Sequence, residues 1–455
     1  MHPCIFTRFE NGEYVAQKEF DLKIFNKKVK ELVKEYNISF EKEVIIPGDD
    51  SLARDVFEAG FTLVLETGFH FVDINRRIFL TEEEIASSIK NSRGVVIIGE
   101  GKDSRLMYHR RIEDNNYPII IAGFAGTPTP TQYYLESVLS YAVEPVVDAI
   151  DHGSITELYG AKVMSGSPLE AIATRVEART VREALKRAGR PGLHMIGGES
   201  AFTAIGALAA MGEEHLRRSD GLLVPVLNEM KVSNDTLTKS YMFNEYGGHV
   251  VSLVDPILGG YAGGPEGTAI CAVAEVLLSA VLYDASYFLI HPTHILFQAT
   301  SVPECMWVQS IVGQALALET SYIAAGNVWP AGGAGTCQVI YELSANTIVN
   351  VVSGLHLLGV TCTAGHLPHS SGLEARIMGE LARSVTGLKR NDANDIVLQL
   401  VKMYREYLKK PNIGLPFNEL YDLKIIKPRE KLLGVYKKAL KKVEDVLGKN
   451  TFTLL

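Results

Sequence analysis

The chain has little of what nucleic-acid binding, secretion or membrane insertion demands. Its 455 residues carry 45 Lys and Arg against 53 Asp and Glu, a formal net charge of -8. Basic pairs such as Lys27-Lys28, Lys409-Lys410 and Lys441-Lys442 lie in helical, Glu-interleaved contexts and read as solvated helix faces. A nucleic-acid partner, which requires clustered Lys and Arg, is therefore not expected. The five cysteines are odd in number and form no C-x-x-C. That suits a reducing cytoplasm, with mostly inert thiols. Met1–Phe6 lacks a basic stretch followed by an apolar one, so secretion is not expected. The most apolar run, around Ile270–Tyr283, is interrupted by Glu275 and reads as too short to cross a bilayer, so no membrane is expected. Also missing are G-x-x-x-x-G-K-[ST], a G-x-S-x-G around Ser200, and a D-x-H-x-x-G corrinoid signature, which Asp151-His152-Gly153 does not fit.

What is present is a core and a rhythm. With 47% hydrophobic and 22% charged residues, the composition is that of a globular protein. Pro191–Ser200 reads as a short buried strand that breaks at Gly197-Gly198 and runs into the small-residue helix Ala201–Met211. The same unit recurs on both sides. Val-, Ile- and Leu-rich runs fall near Ile119–Ala122, Val146–Ile150, Leu193–Ile196, Leu222–Val226, Val250–Val254, Tyr287–Ile290, Tyr322–Ala325 and Leu357–Val360. Between them the pattern predicts helices over Gln132–Ala142, Pro168–Ala188, Ala201–Met211, Val232–Tyr246, Gly267–Leu282, Pro303–Glu319, Gly335–Ser353 and Gly372–Ser384. Strands buried on both faces and alternating with helices imply a parallel sheet. About eight such units predict an α/β fold of the closed (β/α)8 class, a TIM barrel.

Residues 1–117 read as an N-terminal α/β cap, with an amphipathic helix at Leu22–Tyr36, helices at Ser51–Gly60 and Thr81–Lys90, and a strand at Val95–Gly99. Thr81 and Glu84 have capping-box spacing. Residues 118–385 make the barrel, and 386–455 a C-terminal helical extension in the same compact unit.

In a barrel of this kind, chemistry belongs to the loops after the strands. Here Glu199 and Glu229 are candidate acid–base groups. Both also suit helix starts, where carboxylates favour the dipole. Tyr261 and Trp329 could face a cation, or anchor their loops. His291, His294, Cys362 and His366 could ligate zinc, but H-x-x-H after a strand does not bring both rings to one side. No metal site is predicted.

Gly189-Arg190-Pro191-Gly192, Asn228-Glu229-x-Lys231, Gly259–Gly264 and Gly372–Arg383 together resemble the monomethylamine methyltransferase family of methanogenic archaea. The resemblance runs from about Pro47 to the C-terminal helix. It implies a homo-oligomeric barrel that moves a methyl group from a methylamine to the cobalt of a separate corrinoid protein. It also implies pyrrolysine at the mouth, whose electrophilic ring holds the amine. That position falls on Ile196, the family's neighbouring carboxylate on Leu253, and its glutamine near Val328. Isoleucine has no electrophile and forms no adduct. Glu199, Asn228, Glu229, Tyr261, His294 and Asn327 match the family residue by residue.

The joint loss of polarity at Ile196, Leu253 and Val328 leads to an expectation. A quaternary ammonium needs no adduct and suits an apolar pocket with Tyr261 and Trp329, and with Glu199 or Glu229 as counter-ion. The chain itself would bind no cofactor. A partner would bring the corrinoid to the rim loops. Two alternatives stay open: a non-catalytic barrel for binding or assembly, and a zinc-dependent methyltransferase.

Overall fold

The computed structural model describes residues 4–454, and Met1–Pro3 and Leu455 lie outside them. Eight parallel strands close into a barrel: β1 Ile120–Gly123, β2 Ala149–Asp151, β3 His194–Gly197, β4 Gly221–Pro225, β5 His249–Val254, β6 Tyr287–Ile290, β7 Ala324–Val328 and β8 His356–Gly359. Each predicted apolar run supplies one strand. The ladder runs in chain order, and β8 closes it on β1 through Leu358 opposite Ile121.

The helices α1 Tyr134–Ala142, α2 Pro168–Arg187, α3 Ala204–Ala210, α4 Asn234–Tyr246, α5 Pro265–Tyr283, α6 Pro303–Glu319, α7 Cys337–Val352 and α8 Gly372–Val385 alternate with the strands. Their starts follow local chemistry. Ser167 accepts from the Glu170 amide before α2, Ser233 and Thr236 form a capping box at α4, and Ser371 and Glu374 another at α8. The apolar run around Ile270 belongs to a longer helix than the sequence suggested. α5 has 19 residues, long and apolar enough by length and composition to cross a membrane, but 83% of that window is buried inside the protein. It packs against Asp50–Thr67 and α6, so its apolar surface is core surface.

The N-terminal residues cover two sides. A hairpin of Val95–Ile98 and Arg105–Tyr108 turns Val96, Ile98 and Met107 into the apolar cluster inside the barrel and closes its N-terminal end. Thr81 and Glu84 form the expected capping box on Glu82–Lys90. The predicted Leu22–Tyr36 helix begins instead as a π-helical turn, Phe20–Phe25, before regular Asn26–Glu35. That turn holds the buried Asp21 against Lys231, in the loop after β4, at 2.6 Å. The same loop, Lys231–Val232, pairs in parallel with Phe69–Phe71, so the N-terminal residues grip the barrel mouth directly. At the other end of the chain, Arg390–Tyr404 and Glu430–Leu447 pack on α7. Tyr404 Oη donates to the Ser301 carbonyl at 2.7 Å.

Candidate functional site at the barrel mouth

Strand pleating decides what the interior sees, because alternate residues face opposite sides. On β3, His194 and Ile196 face inward while Met195 joins the outer core. His194 is structural: its Nε2 meets Tyr287 Oη at 2.8 Å, its Nδ1 meets the Ser219 carbonyl at 2.7 Å, and burial pushes its pKa down to about 3. Above it, Ile196 shares one apolar cluster with Ile121, Ala149, Val251, Leu289, Ala325 and Leu358, and Leu253 packs on that cluster. Ile196 and Leu253 therefore both point into the barrel.

β7 corrects one expectation. Ala325 faces inward, whereas Gly326 faces Asn350 of α7 and Val328 joins the outer core. Val328 cannot line the interior. The inward position at this level is Asn327, buried, with its Oδ1 unpartnered. The residue matched to the family's glutamine thus faces outward, and the inward amide is Asn327, which the sequence match had placed separately. A one-residue shift on a strand exchanges the two faces.

Asp151 ends β2 beside Ile196, its pairing partner on β3. It is buried, and its Oδ1 has no partner. It lies within hydrogen-bonding reach of Glu199, from the loop after β3, whose Oε1 is also buried and unpartnered. Burial, first, pushes both carboxyls up. The charge of Glu199 and then Glu177 raises Asp151 further, while Asp151, Lys239 and the Gly126 amide favour the ionised form of Glu199. A Cβ on Gly126 would lie 3.1 Å from Glu199 Oε2, so glycine here lets the backbone approach that carboxylate. Behind the pair, Ser200 Oγ donates to Glu177, and Tyr134 Oη contacts His152 Nδ1 at 3.0 Å. Burial holds His152 neutral, with its pKa down to about 4.

Glu229 belongs to a separate cluster. Its Oε1 accepts from the Ile257 amide at 3.2 Å, and burial pushes its pKa up to about 6. Asp255 beside it is pushed up to about 8, by burial first, and Glu275 of α5 faces both. Asn228 donates to the Asp255 carbonyl and, at 3.3 Å, to its Oδ1, which ties the loops after β4 and β5 together.

The aromatic pair expected to receive a cation is not assembled. The Tyr261 ring is 39% exposed and already has Lys231 Nζ 5.6 Å from its centroid. Trp329 packs on the inner cluster and meets His291 edge-on, with centroids 4.3 Å apart. Trp329 Nε1 and His291 Nδ1 are both buried without partners. His294 serves its own loop, its Nδ1 accepting from the amides of Leu296 and Phe297 at 3.1 and 3.4 Å. The four zinc candidates are not brought together. His366 Nε2 contacts Gln298, and the buried Cys362 thiol is pushed well up by burial. Among the described residues, no group of three His, Cys, Asp or Glu is arranged to hold a metal.

Sequence reasoning singled out Glu199 but passed over Asp151. The signal was there, since a lone acid one step beyond Ile150, which faces outward, must face inward.

The sequence profile of the family described as "Monomethylamine methyltransferase MtmB" matches residues 4–447. The monomethylamine methyltransferase MtmB of Methanosarcina mazei is 32% identical over 446 residues, covering 97% of this chain and 96% of the relative. MtmB2 of Methanosarcina acetivorans is 31% identical over 443 residues, with the same coverages. The crystal structure of Methanosarcina barkeri monomethylamine methyltransferase superposes with a TM-score of 0.94 at 31% identity over 97% of both chains. The hydroxylamine complex of MtmB does so equally well.

Proposed function

Because the chain belongs to the monomethylamine methyltransferase MtmB family, we propose that it binds a small methylated amine at the barrel mouth and gives up its methyl group to a separate corrinoid protein, without pyrrolysine. One observation carries the choice of amine. Asn327 Oδ1 is a buried acceptor without a donor, and Asp151 Oδ1 and Glu199 Oε1 are buried with no donor beyond a proton the two can share, at the mouth of a barrel whose inner wall is apolar. Buried acceptors left unmatched cost about 1–3 kcal/mol each, so they favour a ligand that brings N–H donors. A protonated methylamine brings them, and a quaternary ammonium brings none. We set aside the quaternary ammonium expected from the sequence because it offers no N–H to these acceptors, Val328 faces away from the interior, and Tyr261 and Trp329 do not form an aromatic pair.

In this reading the ammonium nitrogen donates to Glu199 and Asn327. The methyl group lies over Ile196 and Leu253, which exclude water from it. The C–N bond breaks with its electron pair staying on nitrogen, and ammonia leaves. The corrinoid supplies a cobalt nucleophile that accepts the methyl group. This chain's residues orient the amine and keep it protonated, which makes the nitrogen a better leaving group than a neutral amine. Glu229, joined to Asp255 and Glu275, shapes the loops after β4 and β5.

The loops around the mouth support a docking partner. Tyr159 is 81% exposed, Phe202 53%, Ile295 49% and Leu296 78%. Exposed apolar residues rimming a site mark an interaction surface. A cytoplasmic homo-oligomer is part of the same proposal, by family resemblance.

The test is to mix purified protein with cob(I)alamin and methylamine, dimethylamine, trimethylamine or tetramethylammonium. Visible absorbance then follows the consumption of cob(I)alamin. Turnover with an N–H-bearing amine supports the reading. Turnover with tetramethylammonium alone refutes the choice of amine, and binding without turnover points to a binding barrel.

A further inference from the structure

We propose that Asp151 and Glu199 form a carboxyl pair that shares one proton, with Asp151 the protonated member, so that the mouth carries one negative charge for one ammonium. This inference rests on the amine reading above and adds to it a residue, Asp151, and a charge state.

The geometry allows little else. Asp151 is buried and Glu199 is half-buried with its Oε1 out of solvent; they come from consecutive strand ends, and they meet within hydrogen-bonding reach. Two carboxylates in contact in a water-poor site cannot both stay ionised. The surroundings decide where the charge sits. The Gly126 amide and the Lys239 ammonium favour it on Glu199. Lys239 does not form the ion pair directly, because its Nζ donates to the Ala201 carbonyl at 2.6 Å. Asp151 faces Glu177 of α2, whose own carboxyl burial pushes well above the usual range, so Glu177 offers it no cation, and of its neighbours only the His152 amide favours the ionised form of Asp151. The other polar neighbours do not alter this balance: Tyr134 and Tyr287 are phenols raised well above their ordinary range, and His152 is neutral.

The charge count follows from this. A shared-proton pair and a methylammonium ion sum to zero. The methyl group leaves as a formal cation to the nucleophile, ammonia leaves neutral, and the pair keeps its single charge and its proton. No proton has to cross the apolar floor during the reaction.

An amide mimics the protonated member of such a pair and not the ionised one, so the two amide variants should differ. Asp151→Asn leaves Glu199 ionised and should bind methylammonium within about threefold of the wild type. Glu199→Gln leaves Asp151 buried beside Glu177, still protonated, and should bind about 30-fold more weakly or worse, as loss of a buried charge partner does. Its binding should recover as the pH is raised enough to ionise Asp151, which a structural lesion would not do. Equal losses in the two variants, or the reverse order, overturn the proposal. Infrared spectra of the substrate-free proteins separate this proposal from the amine reading. The wild type minus Asp151→Asn difference should contain a protonated-carboxyl band. If the band is present but the wild type does not bind methylammonium, the amine reading fails and the pair stands. If methylammonium binds and the band is missing, the pair fails. Should Asp151→Asn not fold, the wild type minus Glu199→Gln difference decides. It should lack a protonated-carboxyl band, and such a band refutes the assignment of the proton to Asp151.

Discussion

Residue 327 and its neighbour show how one step along a strand changes a side chain's task. Asn327 offers an unpartnered acceptor to the interior, while Val328 is packed between β7 and the helices. Asn327→Leu should therefore abolish detectable methylammonium binding and leave the melting temperature near that of the wild type, by calorimetric titration and thermal melts. Val328→Ala should do the reverse, leaving binding intact and costing about 1–3 kcal/mol of stability through lost burial and a small cavity. The acid cluster after β4 and β5 makes a pH prediction. Glu229 and Asp255 have pKa values raised to about 6 and about 8, above their unfolded values near 4. Between those limits the native chain holds protons that the unfolded chain has released, so stability falls as pH rises and levels off once the native pKa values are passed. Asp255→Asn should make that fall shallower, by urea melts between pH 5 and pH 9 at about one-unit intervals.

Among the elements, the hairpin Val95–Ile98 with Arg105–Tyr108 does for the barrel's closed end what the loops do for its open one. It inserts Met107 and Ile98, both fully buried, under the inner layer. Met107→Ala should cost about 2–5 kcal/mol by denaturant melts. Methylammonium affinity should stay unchanged, because Asp151, Glu199 and Asn327 lie at the opposite end. A shift in affinity comparable to that in stability would show that the floor layers transmit strain. The junction of β1 and β2 is equally demanding. A Cβ at Gly123 would fall 1.4 Å from the Asp151 carbonyl oxygen, so the strand that carries Asp151 can pair closely there only because position 123 is glycine.

At the scale of the whole molecule, the mouth is apolar at its rim as well as on its floor. Tyr159, Phe202 and Leu296 come from the loops after β2, β3 and β6, so one partner surface could touch them all. Replacing Phe202 and Leu296 by Ser together should lower turnover supported by a corrinoid protein about tenfold or more through KM for that protein, as loss of apolar anchors at an interface does. Turnover with excess free cob(I)alamin, and methylammonium binding, should be unchanged. Parallel losses in all three measurements would mean that the loops serve the site and not the partner.

The eight-fold alternation was readable from the chain itself, since strands buried on both faces leave continuous Val/Ile/Leu runs and every helix between them except α1 starts at Ser, Thr or Pro. So was the capping box at Thr81, a purely local pattern. Glu199 could be named from its place after paired glycines. The sequence could not decide which of Asn327 and Val328 faces inward, because a strand boundary uncertain by one residue reverses the parity of every side chain on it. Nor could it bring Asp151 to Glu199, or Lys231 to Tyr261 and Asp21. Those meetings depend on which strands are neighbours and on a π-helical turn more than two hundred residues from its partner. Local pattern specifies an element's period and ends, whereas the contacts that set charge and chemistry arise only when distant elements pack.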